Sequence, residues 1–404
     1  MLSDISYYSL KEKIKLNRFP LAMVDLDAVD KNFEFFSSVA KKNNKKIRIA
    51  SKSIRVPFLI KYIMEKDKDL FSGIMCYRIS EAEFLFNYGL DNFFVGYPDL
   101  SDYELDKLFS IQKKGANISL AIDSIEHIDI IQKKAEENDS KIKIVIDIDA
   151  SLRFLDSKIN LGVRRSSIKN LETLEKLLLK IKESKNVQLE GIMLYEAQIA
   201  GVTDNGSYKA YENIIKTQIK KISIPKVENF RKACLNLVKK HGFEIEIING
   251  GGTGSIFSTA LDDSVTEVTI GSGFLCSHLF SNYKTINLTP ALFFALQVVR
   301  KPSDDYITCL GGGFIASGSI GKDKQPEVFL PKGIEVTDLE GFGEVQTPFK
   351  IKDKITKIAI NDPVILRPSK AGEIAEHFLE YIIFKNNEFF KTEKTYRGYN
   401  CCFL

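Results

Sequence analysis

The chain has 404 residues, of which 44% are apolar and 27% charged, and its formal net charge is +4. These are ordinary globular values, and they argue against a disordered chain, a membrane-embedded one or a strongly basic nucleic-acid-binding one. The six cysteines, at positions 76, 234, 276, 309, 401 and 402, lack zinc-site spacing, as is typical of a reduced protein. The first twenty residues have no apolar signal core, and no apolar run could span a membrane. We therefore expect a cytoplasmic protein with no nucleic-acid or membrane partner.

Short apolar runs alternate with segments of helical period from residue 22 to about residue 275. The runs predicted to form strands cover residues 22–25, 47–50, 73–76, 93–96, 119–122, 142–146, 190–194 and 245–248, and a further run covers 268–270. Amphipathic segments such as 29–42, 80–88 and 102–114 lie between them. Repeated strand–helix units predict a parallel sheet, and eight of them favour a (β/α)8 TIM-like barrel, which we place at 22–285.

Beyond about residue 285 the helical pattern gives way to short strands and turns. The strands predicted here cover residues 295–299, 305–309, 342–347, 357–360 and 395–398. We interpret residues 286–404, together with 1–21, as a second, mostly β domain. The overall prediction is an α/β protein with a barrel and a smaller β-rich domain.

Lys52 stands at the end of the predicted strand 47–50, in the run Arg48–Arg55. A buried strand end normally avoids lysine, because burying an ammonium group is costly. The small side chains of Ser51 and Ser53 leave room around the amine. Room around a partly buried amine is what a Schiff-base lysine requires. A surface lysine at a strand end is the alternative interpretation.

A glycine-rich turn, Asn249–Ser255, follows the strand predicted at 245–248. Backbone N–H groups in such a turn are suited to surround a phosphate. An imine-forming lysine and a phosphate-binding turn in one chain together indicate pyridoxal phosphate. Because the chemistry of these barrels sits at the carboxyl ends of the strands, Lys52, Tyr195 and this turn are expected to meet at one mouth.

The order of these motifs resembles that of the fold-type III pyridoxal-phosphate enzymes, the alanine racemase-like barrels. Within that family the chain is most similar to the D-threonine aldolase and D-serine dehydratase branch, particularly bacterial proteins labelled amino-acid deaminase/aldolase. The resemblance covers nearly the whole chain. It rests on the runs Arg48–Arg55, Tyr195–Gly201, Asn249–Gly254, Leu310–Gly313, Gly343–Pro348, Lys370–Glu373 and Thr395–Gly398.

The resemblance implies roles for individual residues. Lys52 would hold the cofactor as an internal aldimine and later accept a proton from the substrate Cα. Tyr195 occupies a position where related enzymes carry a histidine, and it would stack on or hydrogen-bond the cofactor ring, a core tyrosine being the alternative. The residues implied to bind the phosphate are Gly251, Gly252, Thr253, Gly254, Ser255, Gly271 and Ser272.

The chain departs from the family pattern at the partner of the pyridine nitrogen. In racemase-like sequences an arginine two positions before a glycine makes this contact, whereas Asn160 precedes Leu161-Gly162 here. We take Arg153 as the substitute candidate, with a surface ion pair as the alternative. The protonation of the ring nitrogen, and so the strength of the electron sink, stays open.

A second departure concerns metal. The family branch holds a divalent ion through a His-x-Asp or His-x-Cys pair, and the matching positions here are Pro368 and Lys370. Neither can replace those ligands. Glu373 and His377 lie at i, i+4 spacing, which we interpret as a helix-surface pair. We therefore expect no tightly bound catalytic metal.

The function implied is a lyase acting on a small β-hydroxy amino acid, expected to be of D configuration, by retro-aldol cleavage or by dehydration. A racemase is the first alternative, and it needs a second base, for which Tyr283, Tyr306 and Tyr396 are available. A non-catalytic protein of pyridoxal-phosphate homeostasis is the second. The extra β domain favours an enzyme, and it implies a head-to-tail homodimer in which this domain lies near the partner's barrel mouth.

Overall fold

The computed structural model describes residues 1–154, 159–205, 210–319, 321–353 and 357–404. Within these ranges the strands form a closed barrel, a nine-stranded sheet and a two-stranded ribbon of β7 (Leu152–Phe154) and β8 (Ile159–Leu161). The helices in these ranges include none that is long and apolar enough to cross a membrane.

Eight parallel strands close the barrel in the described chain. In order around it they are β10 (Ile247–Gly250), β11 (Glu267–Ile270), β2 (Lys46–Ala50), β3 (Phe71–Cys76), β4 (Phe93–Val95), β5 (Ile118–Ile122), β6 (Ile142–Asp147) and β9 (Val187–Leu194). A separate buried cluster draws one side chain from each of five neighbouring strands, namely Met75, Phe94, Ala121, Val145 and Met193. Side chains that alternate inward fill small barrels of this kind, so the barrel is a packed core rather than a pore.

Helices lie between successive barrel strands and before and after them. They are α1 (Tyr7–Ile14), α2 (Leu26–Lys42), α3 (Pro57–Glu65), α4 (Ile79–Asn87), α5 (Asp102–Lys113), α6 (Ile125–Glu137), α7 (Leu171–Glu183), α8 (Ala197–Ala200), α9 (Ala210–Lys240), α10 (Ile256–Leu261), α11 (Ser272–Leu275) and α12 (Ala371–Ile374). Helix α2 shows why such segments form: Asp25 caps its amino end by accepting from the amides of Asp27 and Ala28, and its apolar side packs into the core. The predicted α/β barrel class is confirmed.

The nine-stranded sheet stands apart from the barrel. Its strands are β1 (Leu21–Asp25), β12 (Leu292–Ser303), β13 (Tyr306–Leu310), β14 (Glu327–Leu330), β15 (Ile334–Val336), β16 (Gln346–Ile351), β17 (Pro363–Arg367), β18 (Glu380–Lys385) and β19 (Glu388–Lys394). The N-terminal segment packs on this sheet, where Leu2, Tyr7 and Leu10 share a buried cluster with Phe293 and Ile382. A second, mostly β region is thus confirmed, while the exact bounds of the two domains stay a prediction.

The first predicted strand was assigned to the wrong sheet. Residues 21–25 pair antiparallel with β12 and parallel with β18, and the eighth place in the barrel is taken by β11 at 267–270. All five residues of β1 are buried, as in a barrel strand. Because both faces are covered in either position, the apolar pattern does not reveal which strands will be its neighbours.

Two of the strands predicted in the second region are also wrong. Residues 357–360 form no strand, and residues 397–399 form a short 3₁₀ turn. The strands β18 and β19, at one end of the sheet, were not predicted. Buried and exposed residues alternate only weakly along both of them. A weak alternation of this kind is the expected reason for missing them.

Candidate active site

A cavity of about 740 Å³ opens at the carboxyl ends of the barrel strands. Residues from the ends of β2, β4, β6, β9, β10 and β11 line it, together with the turn that begins α12. The lining residues include Lys52, Tyr97, Asp147, Arg165, Tyr195, Gly254, Ser272 and Lys370. Lys52, Tyr195 and the glycine-rich turn therefore all line one cavity at the carboxyl ends of the strands, where the sequence predicted them to meet.

Lys52 lies immediately after β2, in a short 3₁₀ turn. The turn is held from behind, because the Ser51 hydroxyl donates to the carbonyl of Met75 at 3.0 Å. It is also held from the side by Gly372, where a Cβ atom would stand 1.9 Å from the Lys52 carbonyl oxygen. The Lys52 ammonium group enters the cavity and donates to the hydroxyl of Tyr97. The lysine is thus fixed by its backbone while its amine faces open space.

The glycine-rich turn between β10 and α10 is held by one buried carboxylate. Glu196 accepts from the amide of Gly251 at 3.0 Å and from the hydroxyl of Ser255 at 3.3 Å. It also accepts from the Thr259 hydroxyl, and the Arg231 guanidinium lies 3.7 Å away. Glu196 and Arg231 are both almost fully buried. This network fixes the backbone of the turn from the side opposite the cavity.

The cavity side of the turn presents backbone groups. A Cβ atom at Gly254 would stand 2.1 Å from the Ala200 carbonyl, so only glycine fits there. The amides of Gly254 and Ser272 donate to no other group in the described chain. Two unused amides at the edge of a cavity match what a phosphate group needs. The residues of the turn therefore fit the phosphate of pyridoxal phosphate.

All of the residues predicted to bind the phosphate line the cavity except Ser255. Gly251, Gly252, Thr253, Gly271 and Ser272 line the cavity. Ser255 is not among the lining residues, because its hydroxyl lies within the Glu196 network. The Thr253 hydroxyl accepts from the Gly273 amide at 3.1 Å, and the Ser272 hydroxyl donates to Ser53 at 3.1 Å. These bonds tie the two phosphate-side turns to each other and to the Lys52 turn.

Arg165, and not the predicted Arg153, lines the cavity. The Arg153 guanidinium is paired with the carboxylate of Asp149, and Arg153 is not a lining residue. Arg165 lines the cavity, with its guanidinium carbon 5.6 Å from the ring centre of Tyr97 and 6.0 Å from that of Tyr195. Both distances are those of a cation facing an aromatic ring. Arg165 forms no ion pair with a carboxylate in the described ranges.

Several ionisable groups in the cavity have shifted pKa values, and Tyr97, Tyr195 and Asp147 are three of them. Burial works to raise the pKa of Tyr97, but the charges of Lys52 and Arg165 outweigh it and hold that pKa below its usual value. Burial, together with the charge of Tyr97, raises the pKa of Tyr195 to about 12. Burial and the Asp123 charge raise the pKa of Asp147 to about 7, against the opposing effect of Arg165. The cavity thus holds one acidified phenol and one carboxyl group that titrates near neutrality.

The rim beside Lys52 is formed by the segment in which a metal pair was sought. The Lys370 ammonium donates to the Ser317 carbonyl at 2.7 Å and to Glu373 at 3.1 Å. Glu373 also accepts from the amide and hydroxyl of Ser317, each at 2.6 Å. The ring of His377 packs 4.8 Å from that of Phe314, and in the described ranges the Glu373 carboxylate is bonded to Ser317 and Lys370 rather than to His377. The described residues contain no group of three or more potential ligands arranged for a metal.

Sequence reasoning missed Tyr97, Arg165, Glu196 and Asp147 as individual site residues. Tyr97 follows a three-residue strand, whose pattern is too short to single out. Arg165 follows a loop whose path the sequence does not specify. The one available signal was positional, since Asp147 and Glu196 stand at or next to the ends of β6 and β9.

Comparisons with known proteins agree with this geometry. A curated 3-hydroxy-D-aspartate aldolase of Paracoccus denitrificans is 21% identical over 253 residues, which is 63% of this chain and 59% of the relative. A solved D-threonine aldolase of Filomicrobium marinum superposes with a TM-score of 0.79 at 17% identity, over 94% of this chain and 95% of the other. At such identities the solved structures establish the fold alone.

Two further solved structures extend the comparison. A D-threo-3-hydroxyaspartate dehydratase of a Delftia species gives a TM-score of 0.76 at 14% identity, over 95% of this chain and 98% of the other. An alanine racemase of Clostridium difficile gives 0.66 at 16% identity, over 94% and 99%. The sequence family described as alanine racemase, N-terminal domain, matches residues 24–276, which is more than half of the chain. The predicted resemblance is confirmed, and the chain belongs to the alanine racemase N-terminal domain family.

Proposed function

We propose that this protein is a pyridoxal-phosphate-dependent lyase that acts on a small D-β-hydroxy amino acid. The observation that carries the proposal is the placement of the Lys52 amine and the two unused amides of Gly254 and Ser272 in one cavity. The relatives named above as aldolases and a dehydratase support the substrate class. Because the matched region spans only 59% of the curated relative, its activity is carried over as a proposal.

The residues of the chain divide the work of holding the cofactor. Lys52 would bind its aldehyde carbon, and the turns at Gly251–Gly254 and Gly271-Ser272 would bind its phosphate. When bound, the cofactor withdraws electrons from the substrate Cα and so allows a bond at that carbon to break. Tyr195 would lie against the ring, since its side chain is half-buried in the cavity wall. Arg153, bound to Asp149, has no cavity contact that supports its predicted role.

Arg165 supplies the cation that an amino-acid carboxylate needs. Apart from Lys52, which would hold the cofactor, the other cationic side chains that line the cavity are paired: Arg55 with Glu376 at 2.6 Å, and Lys370 with Glu373 at 3.1 Å. Arg165 forms no ion pair with a carboxylate in the described ranges, and it lies near the rings of Tyr97 and Tyr195. A guanidinium in this state can bind a carboxylate through two parallel hydrogen bonds. We therefore assign substrate orientation to Arg165.

The racemase alternative receives less support. The Tyr283 hydroxyl is engaged, because it donates to the Ala200 carbonyl at 2.8 Å. Tyr396 is buried away from the cavity and donates to Glu81 at 2.8 Å. Tyr306 is exposed on β13, so its use as a second base would require another copy of the chain. A homodimer in the cytoplasm, with the β region of one copy near the mouth of the other, forms part of the proposal.

The proposal is tested by the visible spectrum of purified protein supplied with pyridoxal phosphate. Wild type should be yellow, and borohydride should bleach the colour and attach a pyridoxyl group to the peptide that contains Lys52. Lys52→Ala should stay colourless and inactive. Lys370→Ala is the matched control, because it removes another amine at the same cavity. Label on Lys370, or a colourless wild type, would contradict the proposal.

Turnover is then measured with D-threonine, D-serine and D-3-hydroxyaspartate. Glycine with an aldehyde would show cleavage, and a keto acid with ammonia would show dehydration. Inversion without either product would favour the racemase.

A further inference from the structure

We propose that Tyr97 is the catalytic base for the substrate's β-hydroxyl group, and that the reaction is Cα–Cβ cleavage rather than dehydration. The inference rests on the proposed function and deepens it by assigning a residue to the reacting hydroxyl. Two placements carry it: the Tyr97 hydroxyl accepts a hydrogen bond from the Lys52 amine, and both groups line the cavity.

The backbone of Tyr97 is fixed on both sides. The preceding Gly96 donates its amide to the Cys76 carbonyl at 3.0 Å. A Cβ atom at Gly96 would stand 3.1 Å from the sulfur of Met75, so the turn is packed closely against the neighbouring strand. The following Pro98 disfavours the helical region for Tyr97. The ring is therefore directed into the cavity by a turn with little freedom.

Two cations flank the ring of Tyr97. The Lys52 nitrogen lies 5.0 Å from the ring centre, and the Arg165 guanidinium carbon lies 5.6 Å from it. Positive charges on both sides stabilise the phenolate relative to the phenol. This is the physical cause of the lowered pKa of Tyr97, which prevails although burial opposes it. The Tyr97 hydroxyl therefore loses its proton more readily than an ordinary phenol, and its phenolate can accept a proton from the substrate.

Tyr97 differs in this respect from the other tyrosines that line the cavity within the described ranges. Burial holds the pKa of Tyr195 at about 12, and burial also raises the pKa of Tyr283 far above its usual value. The Tyr283 hydroxyl is moreover occupied by the Ala200 carbonyl. Of the three, Tyr97 alone combines a lowered pKa with a hydrogen bond to Lys52.

The cleavage step balances with these two residues. The step starts with Tyr97 as the phenolate and Lys52 as a free, neutral amine. The proton of the β-hydroxyl passes to the Tyr97 oxygen, the Cα–Cβ bond breaks, and the hydroxyl-bearing fragment leaves as an aldehyde. The bonding electron pair stays on Cα. The proton then passes from Tyr97 to the Lys52 amine and on to Cα, which completes glycine and restores both residues. No oxidant or further reactant is consumed.

The charges around Tyr97 favour this direction of proton transfer. Dehydration requires an acid that protonates the leaving hydroxide, while cleavage requires a base that removes the hydroxyl proton. The Arg165 guanidinium keeps its charge while Lys52 is a neutral amine, so it makes the conjugate base of Tyr97 more available and suits cleavage. We expect glycine and an aldehyde as products.

The test compares two reactions of the cofactor-loaded protein. The first is cleavage of the best D-β-hydroxy amino acid, and the second is exchange of the glycine α-hydrogen with deuterated water, which needs Lys52 but no hydroxyl base. Tyr97→Phe should lower kcat for cleavage by about 100-fold or more, with KM and glycine exchange changed by less than about threefold. Tyr103→Phe, which changes an exposed tyrosine on α5, should change neither.

A spectroscopic readout separates a catalytic role from a structural one. The chain has 15 tyrosines and no tryptophan, so ultraviolet difference spectra follow tyrosine ionisation directly. One tyrosine of the wild type should ionise ahead of the others. That early transition should vanish in Tyr97→Phe and persist in Tyr195→Phe.

Each other outcome overturns the inference. Retention of cleavage by Tyr97→Phe would remove Tyr97 from the reaction. An equal fall in cleavage and glycine exchange would mean that Tyr97 acts only through Lys52. A keto acid and ammonia as wild-type products would refute cleavage. Failure of the proposed function itself is distinguishable, because wild type would then show neither the yellow band nor either reaction.

Discussion

Two walls of the cavity are built on opposite principles. The glycine-turn wall consists of Gly250–Ser255, Thr259, and the buried Glu196 and Arg231 behind them. The tyrosine wall consists of Lys52, Tyr97, Asp147 and Arg165. In the first, Glu196 is 2% exposed and its carboxylate oxygens accept from three groups of the protein. In the second, neither Asp147 nor Arg165 forms an ion pair with another described residue.

The difference shows where stability and chemistry separate. A polar group whose partners all come from the protein holds the backbone but has nothing left for a ligand. A charged group left without a partner keeps its capacity for a substrate, and its pKa responds to its neighbours. Substitutions in the glycine-turn wall should therefore reduce stability. Substitutions in the tyrosine wall should change substrate binding or turnover while the protein stays folded.

Glu196→Gln should give the largest effect on stability. The substitution keeps the size of the side chain but replaces an accepting oxygen by a donating NH₂ group, which then faces the N–H or hydroxyl donors of the turn. It also leaves the buried Arg231 with one negative neighbour fewer, although Arg231 remains paired with Asp262. We expect a loss of about 3 kcal/mol in the free energy of unfolding. Denaturant unfolding of the protein without added cofactor measures it.

The matched control is Glu172→Gln on α7, which makes the same chemical change at an exposed ion pair with Lys176. Surface pairs contribute little, so its unfolding midpoint should match that of wild type. If the two variants unfold alike, the Glu196 network does not hold the glycine-turn wall.

The sequence revealed these two walls to different extents. Lys52 and the glycine turn could be predicted, because a lysine at a buried strand end and a run of glycines are local signals. The groups that support or complete them could not be predicted, because their roles depend on side chains distant in sequence. Arg231 lies 35 residues from Glu196 along the chain, on α9, and nothing in its surroundings marks it. The fold class was predictable in the same sense, although not the sheet to which residues 21–25 belong.

Arg153 and Arg165 show the same limit within one loop region. Both follow β6, and the sequence offers no reason to prefer either. Asp149 decides between them, because it engages Arg153 and leaves Arg165 free to enter the cavity. Which of the two arginines enters the cavity depends on this ion pair, and the sequence alone does not reveal the pair.

Arg165→Gln should give the largest effect on substrate binding. Loss of a charged hydrogen-bonding partner of the substrate carboxylate costs about 1.5–3 kcal/mol, so KM should rise by roughly 10- to 100-fold. The unfolding midpoint and the yellow cofactor band should stay unchanged. Steady-state kinetics with the best D-amino acid measures the effect. Arg164→Gln is the control, since Arg164 is exposed and not a lining residue, and an equal rise in its KM would contradict the assignment.

Asp147→Asn should give the smallest effect on substrate binding, and the effect should be visible in how KM depends on pH. Burial and the Asp123 charge raise the pKa of Asp147 to about 7, so the group is mostly neutral below that pH and negative above it. Its negative charge would compete with a substrate carboxylate for Arg165, and KM should therefore rise by about three- to tenfold as the pH increases from 6 to 8. The asparagine cannot ionise, so this rise should disappear while kcat at pH 6 stays near the wild-type value. A pH series of KM for both proteins measures the difference, and the same rise in the variant would assign the titration to another group. Because the substitution removes only a charge, its small effect would also show that the tyrosine wall tolerates changes that the glycine-turn wall does not.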